Sequence, residues 1–181
     1  MSSVAKVVEA NKKGIWDISR LEVLGGQFRI ELGGPGLNHY YVSENIGEIF
    51  RKYFEGKGCK AREVFDGKVG VFLTDRDMTI PDIVIIGDEA VTTNWGIFGS
   101  PDLVVEVSAP DTSELDRGYK KDLYEKCGVK EYWVIDPAQE LVEIYVLKGG
   151  KYNLNSEIKT SLFDDLDISV NEIFVGIDDF V

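Results

Sequence analysis

Two short and almost wholly apolar runs limit what this chain can fold into: Ile83-Val84-Ile85-Ile86 and Leu103-Val104-Val105-Glu106-Val107. Each has strand length and is rich in β-branched residues. Neither shows the alternation of a strand with one wet face. Such runs belong at the centre of a sheet covered on both sides, so the rest of the chain must supply two covering layers. With 181 residues, one domain spanning 1–181 can do this.

The remaining elements follow from periodicity and punctuation. Val4 to Lys12 reads as a helix. Leu21 to Leu24 and Phe28 to Leu32 flank the turn-forming pair Gly25-Gly26 as a hairpin. After the loop Gly33-Gly34-Pro35-Gly36, Asn38 or Ser43 can cap a helix through Phe54, with Ile46, Ile49, Phe50 and Tyr53 at helical spacing. Further strands are expected at Ala61 to Phe65, Val69 to Leu73 and Tyr132 to Ile135, with a loose loop around Asn94-Trp95-Gly96. A helix is expected from about Asp116 to Cys127, closed by Gly128. Val142 to Leu147 and Tyr152 to Leu154 flank Gly149-Gly150 as a second hairpin.

Composition excludes several classes of function. His39 is the single histidine, which argues against Ser-His-Asp hydrolases, multi-histidine zinc sites and HNH-type nucleases. Cys59 and Cys127 form no metal-ligand spacing and read as packing residues. Any metal must be held mainly by oxygen. No apolar run is long enough to span a bilayer, and Met1 to Ala10 lacks a hydrophobic signal core, so a cytoplasmic protein without membrane contact is expected. The net charge of −12 opposes binding to a polyanion. Its distribution is uneven, however. Asp164 to Asp179 is strongly acidic, whereas Arg51, Lys52, Lys57, Lys60 and Arg62 form a basic run that leaves room for a local positive groove.

Glu106 is the residue that demands an explanation. An ionised carboxylate inside a buried strand costs several kcal/mol, of order, unless a cation or metal compensates. A structural ion pair with Lys or Arg satisfies that demand, and so does an edge strand that leaves Glu106 in solvent. The following helix bears on the choice. Lys120 shares one face with Leu123, Tyr124 and Cys127, with Asp116 and Arg117 one turn earlier, while Lys121, Asp122, Glu125 and Lys126 fall on the other side. A lysine on an apolar face either snorkels to water or meets a buried acid. Asp82, directly before the first apolar run, and Glu106 can together hold Mg²⁺ or Mn²⁺ with positions open for water and a phosphate oxygen. Beside them, a lysine can orient or deprotonate the attacking water and offset charge on the phosphate. The chemistry that needs these residue types is phosphodiester hydrolysis.

Pro81-Asp82 followed by Glu106-Val107-Ser108 resembles the PD-(D/E)xK motif of the restriction-endonuclease-like superfamily, with Ser108 standing where lysine is usual. The Uma-two family of bacterial endonucleases departs from the motif in the same way. Its lysine lies on the next helix, in a segment similar to Asp116-Arg117-Gly118-Tyr119-Lys120 with Tyr124 after it. Pro101 to Ser108 and Gly128 to Pro137 carry the likeness further, and it covers roughly Glu22 to Phe174.

The resemblance implies an α/β (α+β) fold with a restriction-endonuclease-like core: a central mixed sheet flanked by helices, with an N-terminal and a C-terminal hairpin. It implies Asp82 and Glu106 as metal ligands, Lys120 as the catalytic cation, Mg²⁺ or Mn²⁺ as cofactor, DNA as substrate and a homodimer as assembly. Glu22 is similar to the family's N-terminal glutamate and His39 to its histidine before the first long helix, while Arg117 and Tyr124 are further accessory candidates. An exposed hairpin position for Glu22, and a capping or packing role for His39, fit the same residues. Two other functions stay open: a non-catalytic interaction module on the same fold, and a metal-dependent hydrolase of RNA or a small phosphoester.

Overall fold

A computed structural model describes residues 1–13, 21–30, 36–57, 63–67, 69–87 and 89–177. In chain order the elements are α1 (Ser3–Lys12), β1 (Leu21–Leu24), β2 (Gln27–Ile30), α2 (Leu37–Lys57), β3 (Glu63–Asp66), β4 (Val71–Phe72), β5 (Met78–Thr79), β6 (Ile83–Ile86), β7 (Val91–Thr93), β8 (Gly96–Phe98) and β9 (Leu103–Val107). Then come α3 (Ser113–Leu115), a π-helical turn (Asp116–Lys120), α4 (Lys121–Cys127), β10 (Glu131–Asp136), β11 (Leu141–Lys148), β12 (Lys151–Leu154) and α5 (Val170–Ile173).

The strands form two mixed six-stranded sheets rather than one. The central sheet has the order β12-β11-β10-β9-β6-β3, with β9 and β10 parallel and the other neighbours antiparallel. The second has the order β2-β1-β5-β4-β8-β7. As the apolar runs predict, β6 and β9 are interior strands buried along their whole length, and so is β10.

Alternation along β9 divides its contacts. Leu103, Val105 and Val107 pack with Val42, Ile46, Phe50 and Phe54 of α2, while Val104 faces Tyr124, Val129, Tyr132 and Val134. Glu106 follows the parity of Val104 and therefore points away from α2. Both expected hairpins are present, as β1–β2 and β11–β12. Among the described residues, no helix is long and apolar enough to cross a membrane.

Several boundaries differ from expectation for local reasons. The second helix starts at Leu37, so Asn38 and Ser43 lie inside it rather than capping it. The loose loop around Asn94-Trp95 is the turn of the β7–β8 hairpin, whose outer strand is exposed throughout and carries no apolar signal. Met78–Thr79 forms a two-residue strand too short to show a period. The helix expected at Asp116 starts at Ser113 and is π-helical from Asp116 to Lys120. It does end at Gly128, whose φ of +84° suits glycine.

The basic run does not make a positive groove among the described residues. Arg51 pairs with Asp66 at 2.8 Å and Lys52 with Glu48 at 2.7 Å, and Lys57 pairs with Asp165. Lys60, Arg62, Cys59, Asp178, Asp179 and the Gly33-Gly34-Pro35 loop lie outside the described residues. Cys127 is a partly buried free thiol at the end of α4.

Candidate active site

Three parts of the fold converge on one buried cluster. Strand β9 supplies Glu106, β1 of the second sheet supplies Glu22, and the π-helical turn supplies Asp116 and Lys120; each of the four is less than a twentieth exposed. The Lys120 Nζ lies 3.0 Å from Glu22 Oε1, 3.2 Å from Glu106 Oε1 and 3.7 Å from Asp116 Oδ1. Tyr124, one helical turn on, donates its hydroxyl to Glu106 Oε1 at 2.8 Å. Helical phasing therefore placed Lys120 on the correct face: its ammonium is buried against acids and does not snorkel. The edge-strand alternative for Glu106 and the exposed alternative for Glu22 both fall away. The ion-pair alternative is satisfied, because Lys120 is the partner of Glu106.

Asp82 stands at the rim of this cluster. Ile83 pairs with Val105 in the antiparallel ladder, so one residue earlier Asp82 comes level with Glu106. Its Oδ2 accepts from Val107 N at 2.7 Å, and its Oδ1 lies 3.3 Å from His39 Nε2. The expectation that Lys120 points at both Asp82 and Glu106 is met for Glu106. The other two partners of the ammonium are Glu22 and Asp116.

His39 occupies the first turn of α2 rather than the segment before it, with Ser43 Oγ 3.4 Å from its Nδ1. The side chains of Asp82 and His39 are 23% and 18% exposed, which makes them the opening toward solvent. Arg117 turns away from the cluster, binding Glu143 at 2.5 Å and approaching Asp136 at 3.7 Å.

Asp116 belongs to the cluster although the motif assigns it nothing. Its Oδ2 accepts from Ser108 Oγ at 3.1 Å, so the serine at the usual lysine position is tied to the helix that carries the displaced lysine. The signal was available in the sequence: Asp116 lies four residues before Lys120 on the buried face.

The electrostatics are crowded. Burial pushes the Glu106 carboxyl well above the usual range; Lys120 pulls it down, while Asp116, Glu22 and Asp82 push it up again. Asp116 is raised for the same first reason. Burial alone would lower Lys120, but Glu106, Glu22 and Asp116 outweigh it and hold the ammonium proton firmly. Burial and the Glu106 charge raise Tyr124, which stays a donor.

Three carboxylates thus share one ammonium, with Asp82 at the rim, and two of their buried oxygens accept no hydrogen bond: Glu22 Oε2, and Asp116 Oδ1, which has only its 3.7 Å ion pair with Lys120. Among the described residues no three His, Cys, Asp or Glu side chains are gathered closely enough to hold an ion on their own. The donor set is nonetheless all oxygen, in excess of its counter-charge and incompletely bonded. These features fit a hard divalent cation held by two carboxylates and water.

Comparisons with known proteins bear on the fold and the family. A crystal structure of a putative nuclease belonging to DUF820, from Anabaena variabilis, aligns with a TM-score of 0.68 over 85% of this chain and 89% of that one, at 19% identity. At that identity the likeness shows the fold, which is restriction-endonuclease-like. No curated protein matches the chain. The family model described as "Uma2: Putative restriction endonuclease" matches residues 16–172. The chain belongs to the Uma2 family.

Proposed function

We propose that this protein is a metal-dependent phosphodiester hydrolase that cuts DNA, with its centre at Asp82, Glu106 and Lys120. The observation that carries the reading is the buried convergence of Glu22, Glu106 and Asp116 on Lys120, with Glu22 Oε2 and Asp116 Oδ1 accepting no hydrogen bond. A buried cluster serving stability alone would have its polar atoms satisfied.

Asp82 and Glu106 would hold the ion, with Glu22 beside them. When bound, Mg²⁺ or Mn²⁺ supplies Lewis acidity and an activated water. The chain's own residues do the rest. Tyr124 fixes the Glu106 carboxylate by donating to it, and His39 with Val107 N orients Asp82 at the mouth. Lys120 cannot serve as a base at neutral pH, since three carboxylates hold its proton. Its role is that of a fixed positive charge that positions the phosphate and offsets the charge developing on it. Double-strand cutting requires two such centres, which a homodimer would provide.

The test is cleavage of supercoiled plasmid at low salt in Mg²⁺ or Mn²⁺ by the parent and by Asp82→Ala, Glu106→Ala and Lys120→Ala. Each variant is expected to lose on the order of 10³-fold in rate. Cleavage that persists in all three contradicts the assignment. Single-stranded RNA and an activated phosphodiester in parallel reactions separate DNA from the other substrates. A second reading, a non-catalytic interaction module, draws support from the pairing of Arg51, Lys52 and Lys57 with acids, which leaves little free positive charge on α2. It predicts neither cleavage nor cation binding.

A further inference from the structure

Glu22 stands on β1 of the second sheet and Lys120 on the π-helical turn between β9 and β10, so something must hold the hairpin against that turn. The join is Asp77, a buried carboxylate in the turn between β4 and β5. Its Oδ1 accepts from Gly25 N at 2.7 Å and from Tyr119 Oη at 2.6 Å, while its Oδ2 accepts from Thr74 Oγ1 at 2.6 Å. Gly25 is the first residue of the β1–β2 turn, three residues after Glu22. Tyr119 immediately precedes Lys120 on the π-helical turn. The two neighbours point in different directions, Tyr119 outward to Asp77 and Lys120 inward to Glu22.

The same turn is tied a second time by Gly26 N donating to Arg76 O at 2.7 Å, and by a bond from the Arg76 guanidinium to Gly25 O. The fit is close: a Cβ on Gly25, where φ is +60°, would lie 3.2 Å from the Tyr119 hydroxyl oxygen.

We propose that Asp77 and Tyr119 form a positioning clamp that sets the distance between Glu22 and Lys120, and that this clamp, rather than contact with substrate, is the role of the Tyr119 hydroxyl. The inference rests on the nuclease reading above for its consequence in catalysis, but not for the clamp itself. Burial would raise Asp77, yet hydrogen bonds from Thr74, Tyr119 and Gly25 hold it below the usual range. Burial and the Asp77 bond push Tyr119 up to about 12. The bond therefore keeps its form, hydroxyl to carboxylate, across neutral pH. A π-helical turn is an uncommon local geometry that recurs at functional sites, and here it lets consecutive residues serve the clamp and the cluster.

The test is Tyr119→Phe, which removes one oxygen from a ring that is 42% exposed. Tyr53→Phe is the control, because it deletes a hydroxyl-to-carboxylate bond of the same kind, to Asp165 at 2.6 Å, far from the cluster. Both variants are expected to lower Tm by about 2–4 °C. Only Tyr119→Phe is expected to lower kcat on plasmid by about ten- to a hundredfold at unchanged KM, as sub-ångström misplacement does. It should also shift the nitrogen resonance of the Lys120 ammonium and speed its proton exchange.

An unmoved Lys120 resonance overturns the clamp, as does a kcat loss no larger than that of Tyr53→Phe. Should the parent protein cut nothing, the nuclease reading fails while the Lys120 resonance still decides the clamp: moved in Tyr119→Phe supports it, unmoved overturns it.

Discussion

Two buried glutamates on neighbouring strands of the central sheet have been treated in opposite ways. Glu131 on β10 is fully enclosed and accepts four hydrogen bonds, all from neutral donors: Trp133 Nε1 at 3.1 Å, Thr160 Oγ1 at 2.9 Å, Ser161 Oγ at 2.6 Å and Ser161 N. Every lone pair that matters is used, and the carboxylate pins the segment at Thr160–Ser161 against the sheet. Glu106 on β9, on the opposite face, meets one tyrosine hydroxyl and one ammonium that it shares with Glu22 and Asp116. Its neighbours keep two buried oxygens without a hydrogen bond. The contrast teaches that burial of a charge does not mark function, whereas burial combined with crowding and unmet bonding does. The Glu131 site is complete as built; the Glu106 site is not, which is what the proposed cation would answer.

Removing the ammonium at the centre of the cluster should have the largest effect on stability. Lys120→Met leaves three buried carboxylates facing each other, and urea unfolding in chelator should show a loss of about 4 kcal/mol. Added Mg²⁺ should restore part of it by binding the folded state alone. Glu131→Gln comes next. One acceptor oxygen becomes an NH₂ facing two donors, at a cost of about 3 kcal/mol in the same assay, with no recovery on adding Mg²⁺. The identical change at Glu106 should move stability by no more than about 1 kcal/mol at pH 7, since an amide can still accept from Tyr124 and one crowded charge is gone. Equal losses at Glu131 and Glu106 would break the comparison.

A smaller effect separates the two sites by pH. Glu106 and Asp116 bind their protons more tightly when folded than their ordinary values of 4.5 and 3.8. The stability this contributes is fully present below those values and is lost as pH rises through the raised ones. Asp77 and Asp165 are shifted the other way, so theirs is present above 3.8 and lost as pH falls through the lowered values. Tm in chelator should therefore decline from about pH 5 upward, and Glu106→Gln should flatten that decline. Smallest of all, Lys52→Ala deletes an exposed pair with Glu48 and should leave Tm within about 1 °C in a thermal melt.

Much of the central sheet was legible because β6, β9 and β10 are short apolar runs that only a covered interior strand explains, and Lys120 was legible because helical phase puts it among Leu123 and Tyr124. What escaped has physical reasons. Strands of two or three residues, such as Met78–Thr79 and the exposed Val91–Thr93, have no period to read, so although β1, β2 and β4 were expected, their union with β5, β7 and β8 in a second sheet was not. Glu22 alternates with Leu21 and Val23 as a solvent-facing residue would. Its burial comes from the meeting of the two sheets, which no local pattern encodes. The basic run looked like a groove because sequence does not show that Asp66, Glu48 and Asp165 lie against it. The π-helical turn, and the Asp77–Tyr119 contact across 42 residues, are tertiary facts.

If the Glu106 cluster holds a divalent cation, as proposed, Mn²⁺ should bind there, and its paramagnetic signal reports the binding. The parent is expected to bind one ion per chain, Glu106→Gln and Asp82→Asn to weaken binding by about tenfold or more in Kd, and Glu131→Gln to bind as the parent does. No binding by the folded parent, or equal binding by Glu106→Gln, would contradict it.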